Sequence, residues 1–481
     1  MKSIQTHRGN FLALALICTA VGFLTGCQTY KPPRERWLAG DYAGAAREYG
    51  AKATNNRTGK DAIIWNVEYA TTLRANGQFK ESSAEFDTAE EQINRYDELG
   101  KTSISGQTAA LFVNQATVPY EGRDYDKVMV NVYKALNFIQ LGEADKARVE
   151  FIRAAQRQQD AEENNKRRIL KLEEAAEKLK DSKEKGAAKA KEMADKAKND
   201  AGFKQKIQAS YGYLDEFKAK ANYVNPFAYY MDGLFFLTAN ADRSDLVRAR
   251  DSFRFTLGSI GENKFIMQDL EMVDQLLQGA AIPPVTYVIF ETGTAPLRGQ
   301  IRIDIPLFLV GVRDVPYVGA AFPILKIQNG HLPSLNVSAG GTNETSVLLA
   351  SMDNVVGQAF KDELPSIITK TLVSTTLKAA VFYGASQATK KQNPLVDIMV
   401  KAIIAVVQAS VNIADTRTWN TLPKEIQFCR VTTPADRKLI LSGPNGTPKT
   451  ELVVDDGQVN LIYVKSVSAT NSLLVSQIKL K

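Results

Sequence analysis

A spaced pattern of glycine, small and aromatic positions recurs along the front half of this 481-residue chain. Each copy has Gly, an aromatic or small residue at +2, Ala or Ser at +5 and an aromatic residue at +9. Positions +2, +5 and +9 share one face of a helix with about 3.6 residues per turn. The pattern predicts helices whose small residue admits a close neighbour and whose aromatic residue fills the adjacent groove. The copies are Gly40, Tyr42, Ala45, Tyr49; Gly77, Phe79, Ser82, Phe86; Gly142, Ala144, Ala147, Phe151; and, more loosely, Ser244, Leu246, Ala249, Phe253.

Three of these copies follow a second amphipathic helix. Those helices are predicted over Asp61–Ala75, over Asp126–Leu141, and from Asn225-Pro226 onward, where Asn caps the helix and Pro takes its first position. A unit of helix, Gly turn and helix cannot bury its apolar face alone, so neighbouring units must stack. The Gly-x-[Tyr/Phe]-x-x-Ala core resembles the tetratricopeptide repeat over residues 34–280, which implies a concave surface for a peptide or protein. An irregular helical bundle with a common turn motif is the alternative.

A highly charged segment separates the third and fourth copies. Between Asp160 and Lys206 both signs alternate, and pairs such as Glu162–Lys166 and Glu174–Lys178 stand four residues apart. Two apolar seams predict an antiparallel helical hairpin over residues 155–222 that projects from the repeat body, and a single continuous helix is the alternative. The outgoing seam is Ile169, Leu172, Ala176, Leu179, and the return seam is Phe203, Ile207, Leu214, Phe217. Such a charged run is usually a solvated face; the functional interpretation is a docking arm.

The pattern changes after Pro283-Pro284. Strand-like runs extend from Val285 to about Val337, and a helical block follows in which Pro365 is predicted to open a new helix after Leu364. A nearly apolar core helix is predicted from Leu395 to Ile413, and short strands return over residues 424–481. The predicted fold class is therefore multidomain, with helical repeats over 27–280, a strand-then-helix α+β domain over 285–423 and a small antiparallel β region over 424–481. Whether the two sets of strands pair is left open.

The start of the chain predicts an export signal. Lys2 and Arg8 precede an apolar run from Phe11 to Leu24, which is too short to span a membrane. The run ends in Leu24-Thr25-Gly26-Cys27, which resembles the lipobox of bacterial lipoproteins. That resemblance implies cleavage between Gly26 and Cys27, a signal peptide over 1–26, and diacylglyceryl and N-acyl chains on Cys27, which would hold the protein on a membrane. Gln28, in place of Asp, favours sorting to the outer membrane, with the protein facing the periplasm.

Composition limits the chemistry of the mature chain. Removal of residues 1–26 would leave 455 residues, and with Lys2 and Arg8 gone the formal net charge would fall from +7 to +5, which is not typical of a nucleic-acid-binding protein. Cys429 would be the one cysteine besides Cys27, so no internal disulfide is expected. His331 would be the one histidine, in a segment predicted to be an exposed turn, and no metal site, cofactor or His-based catalytic set is predicted.

Two places are candidate binding sites. The connector Asp415–Pro423 carries Asp415, Arg417 and Trp419, and an exposed Trp beside Arg and a carboxylate could recognise a partner by stacking and paired hydrogen bonds. The alternative is a latch that holds the helical block to the sheet. Glu291, at the end of a predicted strand, is the best isolated acid, but no base or nucleophile is visible beside it.

Several segments together resemble a family of uncharacterised proteobacterial outer-membrane lipoproteins. They are the lipobox, Tyr133–Asn137, Ala147–Phe151, Asn225–Gly233 and Asp415–Pro423. The family supplies no established activity. We expect a non-enzymatic envelope protein that acts as a scaffold for protein partners, with cell-wall synthesis or envelope assembly as candidate processes, by analogy alone. A carboxylate-dependent envelope hydrolase and an accessory of a secretion or surface-polymer system are the alternatives.

Overall fold

The computed structural model describes residues 31–102, 116, 118–178, 187–217, 225–239, 241–306, 317–389 and 413–481. The predicted signal peptide, Cys27 and nearly all of the apolar helix predicted from Leu395 to Ile413 lie outside these residues. Within them, helices fill the front half and antiparallel-rich sheets dominate the back half, which confirms the order of helical part and α+β part. No helix among the described residues is long and apolar enough to cross a membrane.

The front half is a series of helices, most of which pack on the next helix in the chain. Most neighbours along the chain form antiparallel pairs joined by short turns. The helices are α1 (Lys31–Leu38), α2 (Tyr42–Asn55), α3 (Ala62–Ala75), α4 (Phe79–Thr102), α5 (Asp124–Gln140), α6 (Ala144–Lys178), α7 (Ala187–Asn199), α8 (Ala201–Tyr211), α9 (Pro226–Ala239), α10 (Arg243–Ile260) and α11 (Lys264–Leu277).

The recurring pattern corresponds to turns and helix contacts. Gly40, Gly77 and Gly142 have φ values of 79°, 76° and 74°, a left-handed conformation that glycine adopts without steric cost, and each ends one helix and starts the next. The +5 and +9 residues of all four copies are buried between helices: Ala45, Tyr49, Ser82, Phe86, Ala147, Phe151, Ala249 and Phe253. The +2 position varies, since Tyr42 and Phe79 are half-buried and Ala144 is exposed. Helix-pair stacking is present; the assignment to tetratricopeptide repeats remains a prediction.

The charged segment does not stand free of the body over its described part. Helix α7 packs against the long helix of the back half, and the short 3₁₀ helix Gly212–Glu216 continues α8 onto a β-hairpin. The Tyr211 hydroxyl donates to the carbonyl oxygen of Pro323 at 2.8 Å, and the Tyr213 hydroxyl donates to that of Leu325 at 3.0 Å. The return seam predicted to face its own hairpin partner instead docks on the second half.

The back half contains eleven described strands and one long described helix. The strands are β1 (Val285–Thr292), β2 (Leu297–Pro306), β3 (Tyr317–Lys326), β4 (Asn336–Ala339), β5 (Thr342–Thr345), β6 (Val347–Ser351), β7 (Glu425–Thr432), β8 (Lys438–Ser442), β9 (Lys449–Val453), β10 (Val459–Ser466) and β11 (Leu474–Lys479). Helix α12 spans Met352–Thr389 with Pro365 inside it, so the predicted helix break at this position is wrong. Buried Phe360, Leu372 and Val373 on both sides of Pro365 hold the helix against its neighbours.

The two sets of strands pair with each other. The main sheet has the order β11-β10-β1-β7-β6, and a second sheet has the order β5-β4-β8-β9. Strand β1 pairs antiparallel with β7 and parallel with β10, so that Phe290 lies opposite both Gln427 and Val464. Strands β1, β4, β5 and β6 therefore share two sheets with β7 to β11, whereas β2 and β3 form a separate two-stranded sheet. The parallel β1–β10 pair departs from a purely antiparallel arrangement.

The first helix of each predicted pair faces this back half. Every residue of α3 except Tyr69 is buried, and the ring of Tyr230 on α9 lies 4.5 Å from that of Phe428 on β7. On α5, the Tyr133 hydroxyl reaches Glu291 on β1 at 2.8 Å. The face that would be concave and open in an isolated stack of helix pairs is thus covered by the chain's own sheet and connector.

Candidate functional site

The connector Asp415–Pro423 is a buried latch. Trp419 is fully buried, and its indole N–H donates to the hydroxyl oxygens of Thr71 on α3 and Thr421 at 3.0 and 2.9 Å. The expectation of an exposed Trp is wrong, because the apolar ring fills the space between α3, α4 and α5. The alternative of a latch agrees with this geometry. The connector is held to the front helices, however, whereas the sequence predicted a latch between the helical block and the sheet.

Arg417 fixes the start of the same connector. Its guanidinium pairs with Asp415 at 2.8 Å and with Asp61 at 3.0 Å, and it donates to the carbonyl oxygen of Val118 at 2.8 Å. These carboxylates raise the pKa of the Arg417 guanidinium against the effect of burial, and Arg417 in turn lowers the pKa of Asp415 despite its burial. Both candidate residues are occupied by internal contacts, so they offer no open recognition surface.

Glu68 on α3 completes the latch, and sequence reasoning missed it. One carboxylate oxygen accepts hydrogen bonds from the backbone N–H of Asn420 and from its side-chain amide, and the other accepts from the backbone N–H and hydroxyl of Thr421. Burial raises the pKa of Glu68 to about 7 although these bonds act in the opposite direction. The signal in the sequence was that Glu68 is the one acidic residue of α3.

Glu291 is enclosed in a similar way. It is 1% exposed, accepts hydrogen bonds from the hydroxyls of Tyr133 and Tyr463, and forms an ion pair with Lys465. Burial alone would raise its pKa, but the charge and hydrogen bonds of Lys465 and the two tyrosines lower it. A general acid needs the reverse shift, so this geometry is that of a structural ion pair.

An open cleft lies beside the Glu291–Lys465 ion pair, and Lys465 lines it. It has a volume of about 350 Å³ and separates the α3–α4 turn from the edge of the main sheet at β10 and β11. Arg74, Asn76 and Phe79 line it from the helices, and Tyr463 and Lys465 from the sheet. Lys465 lies 5.3 Å from the centre of the Trp37 ring on α1, so the cleft is also close to the first described helix.

A smaller cavity of about 220 Å³ lies beneath α1 and contains His331. His331 is half-buried and its Nε2 lies 3.6 Å from a carboxylate oxygen of Glu425, so the prediction of an exposed turn residue is wrong. Lys424 in the same wall forms an ion pair with Asp353. Among the described residues, no group of three or more His, Cys, Asp or Glu side chains is arranged to hold a metal ion.

A buried ionic cluster joins α4, α5 and α6. The ammonium group of Lys134 lies 2.6 Å from Glu90, 2.9 Å from Glu150 and 2.7 Å from Asp87. These carboxylates raise the pKa of Lys134 against the effect of burial. Through these ion pairs Lys134 of α5 is joined to α4 and α6.

Comparison with family models, with curated proteins and with solved structures gave no match to this chain.

Proposed function

We propose that this chain is a lipid-anchored protein of the bacterial outer membrane that acts as a scaffold for protein partners in the periplasm. The observation that carries the proposal is the position of the lipobox relative to the folded body. Cys27 precedes α1 by four residues, and α1 is fixed in the body by the fully buried Trp37.

The short link determines how far the body would stand from the membrane. Four residues span at most about 14 Å when fully extended. A body tied this closely would be held with α1 and the neighbouring clefts toward the lipid surface. Exposed residues of a later helix, such as Val149 and Ile152 of α6, are proposed to face the periplasm.

The surface proposed for partners is the outer side of the helical half. An isolated stack of helix pairs would offer its concave side, but here that side is covered by β1, β7, β10 and the connector. Exposed apolar side chains on the outer helices, such as Val149, Ile152 and Phe255, supply contact area that a partner would bury.

The anchor and the partner are tested separately. Growth with labelled palmitate should label the wild-type protein and leave Cys27→Ser unlabelled and outside the membrane fraction; equal label in both would refute the anchor. Photo-crosslinking residues at positions 149 and 152 should give a discrete protein adduct in intact cells, whereas position 449, on the exposed part of β9, serves as the control. The absence of any adduct from the outer helices would refute the scaffold.

The geometry does not favour the hydrolase alternative. Glu291 is buried and forms an ion pair, and its pKa is lowered. It therefore carries no proton that it could give to a leaving group. The proposal therefore keeps a non-enzymatic role. A Glu291→Gln variant that stayed folded and lost a measured activity on peptidoglycan or glycan would reverse this choice.

A further inference from the structure

Arg74 differs from the other buried cations of the described chain. Besides Arg74, the described Lys and Arg residues that are buried each have a carboxylate within 4 Å: Lys134, Lys191, Arg298, Arg417, Lys424 and Lys465. Arg74 is 8% exposed, and no carboxylate of the described residues lies within that distance. A buried charge is costly unless it is paired, so this guanidinium is the exception that needs an explanation.

The internal contacts of Arg74 compensate its charge only in part. Its Nη1 donates to the amide oxygen of Asn137 at 2.6 Å, and its guanidinium carbon lies 4.9 Å from the centre of the Tyr463 ring and 5.6 Å from that of Tyr133. An amide oxygen carries no net charge, and a cation over an aromatic ring is held less strongly than one in a buried ion pair.

The surrounding charges leave a net positive cleft. Lys465 lines the same cleft, but Glu291 behind it already balances its charge. Arg74, Lys465 and Glu291 together therefore carry one excess positive charge. Exposed Asn76 and Gly77 at the rim leave this charge accessible from solvent.

A further donor in the cleft has no hydrogen-bond partner among the described residues. The hydroxyl of Tyr42 in the cleft wall is buried, and it makes no hydrogen bond with any described residue. Burial and the nearby Glu291 raise the pKa of Tyr42 to about 12, so the hydroxyl keeps its proton at neutral pH and can donate it. A buried donor without a partner is rare unless a ligand or water satisfies it.

We infer that this cleft binds an oxyanion, a phosphate or carboxylate group, carried on a small molecule with an apolar part. Arg74 and Tyr42 would contact the oxyanion, since a guanidinium fork matches the paired oxygens of both groups. Phe79, Leu474 and Val475 would contact the apolar part. The inference does not depend on the lipid anchor, because it concerns the isolated folded protein.

Calorimetry on the purified mature protein tests this with three probes: inorganic phosphate, hexyl phosphate and hexanoate. At least one should bind, with hexyl phosphate or hexanoate tighter than inorganic phosphate because of the apolar wall. The better of the two hexyl probes identifies the charged group. No binding of any probe up to about 10 mM, a concentration at which even millimolar affinity would be detected, would overturn the inference.

Three variants locate the site. Arg74→Gln should weaken binding by about tenfold or more, the size expected for loss of a charge-assisted hydrogen bond. Tyr42→Phe breaks no hydrogen bond to the described part of the chain, so it should fold like the wild type and still weaken binding by about threefold or more. Lys449→Gln, which changes an exposed lysine that does not line the cleft, should bind like the wild type. Unchanged affinity in Tyr42→Phe together with unchanged affinity in Arg74→Gln would overturn the assignment, and Tyr42→Phe alone decides if Arg74→Gln fails to fold.

Discussion

Replacement of Glu68 by Gln tests whether the negative charge of this buried carboxylate destabilises the fold. Glu68 has no exposed surface and accepts its hydrogen bonds from Asn420 and Thr421 in the connector. Burial raises its pKa from 4.5 to about 7. The native state thus holds the Glu68 proton more tightly than the unfolded chain does.

The sign and size of the effect follow from that difference. Protonation of Glu68 stabilises the fold fully below about pH 4.5, and this stabilisation is lost as pH rises through about 7. Each tenfold change in proton affinity corresponds to about 1.4 kcal/mol, so the whole loss is about 3 kcal/mol. Gln cannot ionise, so Glu68→Gln should lack this loss. The Gln side chain would also place its amide NH₂ group against a donor such as the N–H of Thr421. The resulting loss of unfolding free energy is the same at every pH.

Urea unfolding at pH 4.5, 5.5, 6.5 and 7.5 measures the effect as the difference in unfolding free energy between wild type and variant. Other buried acids with raised pKa, such as Asp232 and Asp269, cancel in that difference. Relative to the wild type, Glu68→Gln should gain about 3 kcal/mol between pH 4.5 and 7.5. Glu91→Gln, on the exposed side of α4, is the matched control and should show no such gain. A constant difference for Glu68→Gln, or one of opposite slope, would refute the reasoning.

Three further perturbations test the packing of the chain. Trp419→Phe should lower the unfolding free energy by about 2 kcal/mol, because it removes the indole donor to Thr71 and leaves space in a filled site; an unchanged urea midpoint would contradict the latch. Gly77→Ala should destabilise by about 1 kcal/mol because of its φ of 76°. Gly258→Ala, in the last turn of α10 with no atom of another element near the added methyl group, should stabilise by about 0.5 kcal/mol. Equal changes in the melting temperature would contradict this pair of predictions. Cys429 is buried and its pKa is raised to about 12, so a thiol reagent at pH 8 should label it in urea but not in the native protein, and rapid native labelling would show that β7 is more open than described.

The sequence predicted best those features that depend on neighbours along the chain. The Gly, small and aromatic spacing predicted the turns at Gly40, Gly77 and Gly142, because a left-handed turn and a helix face are set within about ten residues. The order of a helical half and an α+β half was likewise visible, since hydrophobic period changes at Pro283-Pro284. Both features depend on residues close together in the sequence, so tertiary packing does not change them.

The sequence failed where distant parts of the chain meet. The pairing of β1 with β7 and β10 joins residues more than a hundred positions apart, and no pattern within either segment specifies it. Pro365 was expected to break a helix because its ring removes one backbone hydrogen bond, but packing on both sides of it outweighs that local cost. Trp419 was expected to be exposed, yet its indole N–H donates to Thr71 and its neighbour Asn420 donates to Glu68, both on α3.

Three segments, Tyr133–Asn137, Asn225–Gly233 and Asp415–Pro423, share a structural property that their composition alone does not reveal. Tyr133 and Asn137 of α5 contact Glu291 and Arg74, Tyr230 of α9 contacts Asp269, and the connector contacts α3. Each segment therefore places polar groups at or beside the junction of the two halves, where apolar side chains would otherwise be expected. Buried polar contacts require one matching geometry, whereas apolar contacts tolerate several. The junction is thus specified by hydrogen bonds rather than by burial alone. It follows that the two halves act as one unit, and that the cleft beside Arg74 exists only when both are in place.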